Sequence, residues 1–202
     1  TRALRADPVR PGLLYAGTEW GMYISFDDGA NWQPFQLNLP VTAIRDLRIH
    51  GESLIAATHG RSFWMIDDLG PVRQLDKEIA GENHHLYGPK PAYRMAQGGG
   101  WGSPNRRLTG ENHPNGVLFN FFVNDHEGQR VSLEIQDMKG QTIQTFASDA
   151  KDKKQKLKIK DEENRFVWDM RYPGFKEFDG MILYSSPNRG PKAVPGSYRA
   201  IL

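Results

Sequence analysis

The sequence predicts an all-β protein, and three observations carry that prediction. Residues 13–28 recur forty positions later as residues 53–68. Apolar and polar residues alternate with period two over short stretches, the signature of half-buried strands. Twenty-one Gly and 13 Pro punctuate the 202 residues, as a chain of many turns requires. In the repeat, Leu14 meets Leu54, Ala16 meets Ala56, Thr18 meets Thr58, Tyr23 meets Phe63, and Asp27 and Asp28 meet Asp67 and Asp68. Leu4-Arg5 likewise meets Ile44-Arg45. A forty-residue period is about one four-stranded β-propeller blade.

The elements follow in order. In the first unit, residues 2–6 form the innermost strand and Asp7-Pro8-Val9-Arg10-Pro11-Gly12 a turn, with further strands at 13–18, 21–25 and 32–36. The second unit repeats this at 43–50, 53–58, 62–67 and 72–75. Two blades cannot close a ring. They leave open edges and an unburied face, so the remaining blades must come from elsewhere, in the same protein or another chain. Residues 76–115 carry little periodicity and read as a linker, with loop chemistry in Gly98-Gly99-Gly100-Trp101-Gly102-Ser103-Pro104 and Asn112-His113-Pro114-Asn115-Gly116. A helix fits only around residues 76–80. Trp101 reads either as an anchor for the linker or as a partner contact.

From residue 117 strands return. Residues 117–123 are apolar apart from Asn120, and 130–137 alternate, with Val131, Leu133 and Ile135 on one face. Met138-Lys139-Gly140-Gln141 turns the chain into 142–147, and 166–170 and 197–202 supply two more strands, with Trp168 and Tyr198 as core residues. The expected fold of 116–202 is a small immunoglobulin-type (Ig-like) β-sandwich whose final strand is truncated. The expected domains are therefore two propeller blades at 1–75, a linker at 76–115 and the sandwich at 116–202. A chain that starts on Thr1 and stops inside a strand reads as a piece of a longer protein.

Charge and composition exclude several function classes. Twenty-six basic against 24 acidic residues give a net charge of +2, which is no nucleic-acid footprint. There is no cysteine, so disulfides and thiolate metal sites are excluded. No apolar run reaches the ~18 residues that a membrane-spanning helix needs. Residues 149–163 hold six lysines and five acids, near-cancelling charge that reads as a solvated hairpin with Leu157 and Ile159 inward rather than an anion site. His84-His85 beside Glu82 lacks the spacing of a good ligand set, so neither a metal nor a cofactor is expected.

The most specific motif is Ser25-x-Asp27-x-Gly29-x-Asn31-Trp32, an Asp-box pattern with Asn31 where Thr or Ser is common. Asp27 can accept backbone N–H groups within its own turn, Gly29 takes positive φ cheaply, and Trp32 starts the outgoing strand and buries a large ring. Each requirement concerns the folding of a turn, so Ser25, Asp27, Gly29 and Trp32 are structural residues. With Leu14-Tyr15-Ala16-Gly17-Thr18 and Ala57-Thr58-His59-Gly60-Arg61-Ser62-Phe63-Trp64, this motif resembles the last two blades of a BNR/Asp-box propeller. That kind is shared by sialidases, xyloglucanase-type glycoside hydrolases and sortilin-like receptors. Val131-x-Leu133-x-Ile135-x-Asp137-x-x-Gly140, Phe166-Val167-Trp168-Asp169 and Pro195-Gly196-Ser197-Tyr198 resemble the Ig-like domain appended to such propellers, itself similar to that of flagellar hook-capping proteins.

The resemblance implies a fold more than an activity. Neither the arginine triad and Tyr/Glu pair of sialidases nor the paired carboxylates of xyloglucanase-type enzymes can be aligned to this chain, so no catalytic residue is assigned. Propellers of this kind bind ligands on the face away from the Asp-boxes. Here that face carries the turns Thr18-Glu19-Trp20-Gly21 and Thr58-His59-Gly60-Arg61, making Glu19, Trp20, His59 and Arg61 the candidates for a binding rim. The competing reading is that they cap turns and pair with neighbours. The expected function is a non-catalytic scaffold and binding part of an exported propeller protein, offering a rim to a peptide, glycan or protein partner. The alternative is an accessory region of a glycoside hydrolase whose catalytic acids lie upstream.

Overall fold

The structure is a computed structural model, and it describes residues 1–95, 114–125, 127–178, 180–182, 184 and 188–202. The glycine-rich run with Trp101, and Asn112-His113, lie outside the described residues. The fold is nearly all-β, with every named sheet pairing antiparallel. It divides into two compact units, Thr1–Asp76 and Lys77–Leu202.

In the first unit, β1 (Ala3–Ala6), β2 (Leu14–Gly17), β3 (Met22–Ser25) and β4 (Gln33–Pro34) form one four-stranded meander in sequence order. β5 (Ile44–His50), β6 (Ser53–Thr58) and β7 (Phe63–Ile66) form a second sheet of three strands. Side chains alternate across a strand, so each sheet has two faces. Ala3, Tyr15, Met22 and Ile24 share one face of the first sheet and pack with Leu47, Leu54 and Ala56 of the second in a single core. The sheets approach closely at Gly17, where an added Cβ would lie 2.6 Å from Ile44 Cγ2, so a larger residue would force them apart.

The strand pairings refine the repeat. In the first sheet Tyr15 pairs with Ile24, Ala16 with Tyr23 and Gly17 with Met22. In the second, Ile55 pairs with Met65, Ala56 with Trp64 and Ala57 with Phe63. Tyr23 is thus equivalent to Trp64, not to Phe63 as a rigid forty-residue offset implies, because the turn after β6 holds one residue more than the turn after β2. The faces then correspond. Tyr15, Met22 and Ile24, which the second sheet covers, match Ile55, Phe63 and Met65 on the second sheet's outer face. Phe63 is 76% and Met65 62% exposed.

The sequence places a fourth strand of the second sheet at 72–75; the structure replaces it with helix α1 (Gly70–Gln74). Pro71 sits in the first turn of α1, where its fixed φ suits a helix and its missing N–H costs nothing. Asp68 Oδ1 accepts the Gly70 N–H at 3.0 Å. The helix delivers Arg73 to Asp7, whose side chain is fully buried, at 3.0 Å, and to Glu52 at 2.7 Å. Arg10 reaches back to the carbonyls of Val72 and Leu75 and lies 5.0 Å above the Phe26 ring. β7 consequently remains an edge strand.

The second unit contains two three-stranded sheets. β9 (Val117–Val123) lies between β8 (His84–Leu86) and β12 (Glu162–Trp168), and β10 (Ser132–Asp137) between β11 (Thr142–Ala147) and β13 (Tyr198–Ile201). Phe119 and Phe121 from β9, Leu133 and Ile135 from β10, Phe146 from β11 and Trp168 from β12 meet in one core. β8 falls within the stretch read from sequence as linker. Its His85 ring stacks on Phe122 and meets Tyr87 edge-on, which holds this short polar strand on the sheet. β12 starts four residues earlier than expected, because the buried Asn164 amide donates to the Lys160 and Glu162 carbonyls and fixes the strand entry. The segment 149–163 is not a hairpin. Asp152 closes a turn by accepting the Lys154 N–H at 2.8 Å, and the chain then touches β11 only at Ala147, in a parallel bridge to Lys156. Leu157 is buried there, and Ile159 packs beside it.

Candidate ligand-binding rim

The Asp-box turn fixes which end of the first sheet is which. Ser25 Oγ donates to Asp27 Oδ1 at 2.8 Å and accepts the Gly29 N–H at 2.9 Å. Asp27 also accepts the Asn31 N–H at 2.8 Å and the Asn31 side-chain amide at 2.7 Å. Asn31, the departure from the common motif, thus supplies a second donor to the same carboxylate. Asp28 and Gly29 hold positive φ of 58° and 88°, a left-handed pair that reverses the chain. Trp32 does not bury its ring as the motif suggests. It is 40% exposed, and its indole N–H donates to the Gly29 carbonyl at 3.0 Å, so it clamps the turn from outside. The Asp28 N–H reaches the Gly12 carbonyl at 2.9 Å, joining the Asp-box to the β1–β2 turn at one end of the sheet.

These donors, the Asn31 side-chain amide foremost, lower the Asp27 carboxyl to about 2. A depressed carboxylate pKa contributes stability above the unfolded value of about 3.9, lost as pH falls through about 2. An NMR titration that follows the Asn31 side-chain amide is therefore expected to stay flat down to about pH 3 and to move below it; a midpoint near 4 would show that these bonds do not hold the carboxylate.

The opposite end carries the rim turns, and they are built alike. Thr18 Oγ1 donates to the Gly21 carbonyl at 3.0 Å, and Thr58 Oγ1 donates to the Ser62 carbonyl at 2.5 Å. The extra residue of the second turn is accommodated with Ser62 at a φ of 65°. Backbone bonds fasten the two turns to a common support: the Ile44 N–H donates to the Thr18 carbonyl and the His59 N–H to the Ala43 carbonyl, both at 2.8 Å. The threonine, present in both copies of the repeat, is the local reason the two loops fold alike.

On this support the four sequence-derived residues separate by role. Glu19 is held by Arg2, whose Nε lies 2.6 Å from Oε1. Trp20 is 76% exposed, its backbone N–H pinned by Thr18 Oγ1 at 3.1 Å, so the indole stands out as a flat apolar platform. His59 Nδ1 lies 2.9 Å from Arg45 Nη2; because a guanidinium only donates, Nδ1 is the acceptor of that contact. The Arg61 carbonyl accepts the Trp64 indole N–H at 2.8 Å, while the residue is exposed and its guanidinium has no partner among the described residues. Glu19 and His59 thus pair with neighbours, whereas Trp20 and Arg61 project freely. The sequence reading missed Arg2 and Arg45. Arg45 stands in the repeat beside Ile44, but nothing in its spacing marks it as the partner of His59.

The Glu82–His85 pair forms at 2.8 Å within the second unit, and no group of three His, Cys, Asp or Glu among the described residues is arranged to hold a metal ion. No described helix is long and apolar enough to cross a membrane. Comparison with protein-family models, curated proteins and solved structures finds no match to this chain.

Proposed function

We propose that this chain is the non-catalytic scaffold and binding part of a larger, exported Asp-box propeller protein, with an Ig-like sandwich following two blades. The observation that carries this reading is the head-to-tail packing of the two meander sheets. The face bearing Tyr15, Met22 and Ile24 is covered by a neighbouring sheet, while its equivalent, with Ile55, Phe63 and Met65, is not. The first sheet's other face, with Leu4, Leu14 and Tyr23, is the complement left open at the opposite side. A heterologous stack of this kind asks for further sheets on both sides. Covering Phe63 and Met65 alone adds about 1.5–3 kcal/mol each. In the second unit, Tyr198 donates its hydroxyl to the Val194 carbonyl four residues upstream at 2.6 Å and meets Trp168 edge-on at 5.6 Å, which supports the Ig-like reading.

The rim would present a peptide, glycan or protein ligand with the Trp20 platform and the Arg61 cation, with Arg2–Glu19 and Arg45–His59 as fixed flanks. The test is an array of peptides and glycans probed with the full-length protein and with its Trp20→Ala/Arg61→Ala variant. Loss of one aromatic and one charged contact, each worth about 1–2 kcal/mol, predicts at least tenfold weaker capture. Equal capture by a variant with an unchanged circular dichroism spectrum removes the rim from the proposal.

A further inference from the structure

The charges of segment 149–163 nearly cancel along the sequence, yet three of its lysines gather with cations from a later stretch of the chain. Asp149 pairs with Arg130 at 3.0 Å. Glu162 and Glu163 sit at the start of β12, and Glu162 is about 13 Å along the strand from Phe166. Lys153, Lys154 and Lys156 instead line a groove of about 1130 Å³ together with Arg171, Lys176 and Arg189. The groove's three acids are already engaged. Asp152 closes its own turn, Asp169 lies 3.7 Å from Arg171, and Glu177 meets Lys154 at 3.0 Å and the Asn188 amide at 2.7 Å. Among the described residues that line the groove, six cations against three acids leave an excess of three positive charges. Among the described residues, Lys153, Lys156, Lys176 and Arg189 form no ion pair.

Two strand edges border the groove, and that of β11 is already taken at Ala147, which exchanges backbone hydrogen bonds with Gln155 and Leu157. β11 is the outer strand of one sheet and β12 of the other, and the groove is lined by Phe146 from the first and by Phe166 and Val167 from the second. The Phe146 and Phe166 rings meet at 4.5 Å; Phe146 is buried in the core, and the half-buried Phe166 is the apolar ring that the groove exposes. An edge strand presents unpaired N–H and C=O groups, the template on which an extended peptide adds as a further strand.

We propose that this groove binds an extended acidic polypeptide segment, which pairs with the β12 edge through its main chain while its carboxylates meet the cations that line the groove. Alternate side chains of an added strand point to opposite faces, so a segment alternating acidic and apolar residues would set its acids against the lysines and its apolar groups beside Phe166. An anionic polysaccharide would satisfy the cations but offers no ladder of N–H and C=O groups, and the β12 edge therefore favours the peptide.

The experiment is fluorescence polarisation of the full chain with a labelled peptide of alternating Glu and Val. Binding is expected to weaken about tenfold in the Lys153→Glu/Lys156→Glu variant and to weaken as salt rises. It is also expected to weaken about tenfold when alternate backbone nitrogens of the peptide are methylated, which removes donors from the ladder. Lys139→Glu, an exposed lysine at the β10–β11 turn, leaves affinity unchanged. Both lysines of the double variant are exposed, and Lys153→Gln/Lys156→Gln serves as a milder pair with the same expected direction. No binding of the peptide, binding insensitive to either double variant or to methylation, or binding of polygalacturonate in its place overturns the proposal.

Discussion

Asp7→Ala is expected to destabilise the first unit by about 3–5 kcal/mol, because it strands a buried arginine without its counter-charge. The Asp7 side chain has no exposure, and that of Arg73 only 7%. Asp7 does more than neutralise. Its Oδ1 accepts the Val9 and Arg10 N–H groups at 2.8 and 3.0 Å, closing the β1–β2 turn, and the same carboxylate receives Arg73 Nε. Burial works against the Arg73 charge, but Asp7 and Glu52 outweigh it and hold the guanidinium above its ordinary value. Burial, with Asp7 close by, likewise pushes the Tyr15 phenol up. Hydrogen exchange of the β2 and β6 amides is the local readout, with urea unfolding as the global one. The double variant Asp7→Ala/Arg73→Met removes both charges and should recover part of the loss; a double variant as unstable as the sum of the two singles would show that the pair is not the cause.

Trp168→Ala is expected to cost the second unit about 3–5 kcal/mol. The ring is 2% exposed, and its indole N–H donates to the Arg171 carbonyl at 3.1 Å. The substitution removes a large core volume and the edge-on contact with Tyr198 at one stroke. Gly116 runs so close beneath that a Cβ there would lie 2.3 Å from the Trp168 carbonyl, leaving little freedom for the backbone to collapse into the void. Exchange of the β9 and β10 amides should rise sharply. Protection equal to that of the parent would mean the cavity is refilled, which the crowding around Trp168 argues against. Trp168→Phe keeps most of the volume and loses only the hydrogen bond, so its cost should be nearer 1–2 kcal/mol.

Most of the strand pattern was legible in the sequence because alternation and turn residues act locally. Leu133 and Ile135 alternate cleanly, and both are buried in β10. Local rules failed where a distant residue decided the outcome. Residues 72–75 have strand-like composition, but Pro71 and the pull of Asp7 on Arg73, sixty-six residues away, make that stretch helical. β8 was hidden because it is short and polar and lies in a stretch of little periodicity, and only Phe122 and Tyr87 give His85 a surface to lie on. The rim turns could be placed from strand order alone, whereas the pairing of Glu19 with Arg2 and of His59 with Arg45 spans seventeen and fourteen residues and leaves no local trace. Charge balance within a segment is a limited guide for a related reason. Counting lysines and acids within one segment ignores that an acid such as Asp149 can be claimed by a partner outside it.

The turn after β6 is one residue longer than the turn after β2, yet β7 pairs with β6 so that the matching side chains keep their faces. An insertion at the rim is therefore absorbed before it reaches the sheet, and the packed interior does not register it. Loops of this construction can change length and chemistry without re-solving the fold. The chemistry these turns display is free to diverge between one repeat and the next, while the sheets beneath stay the same.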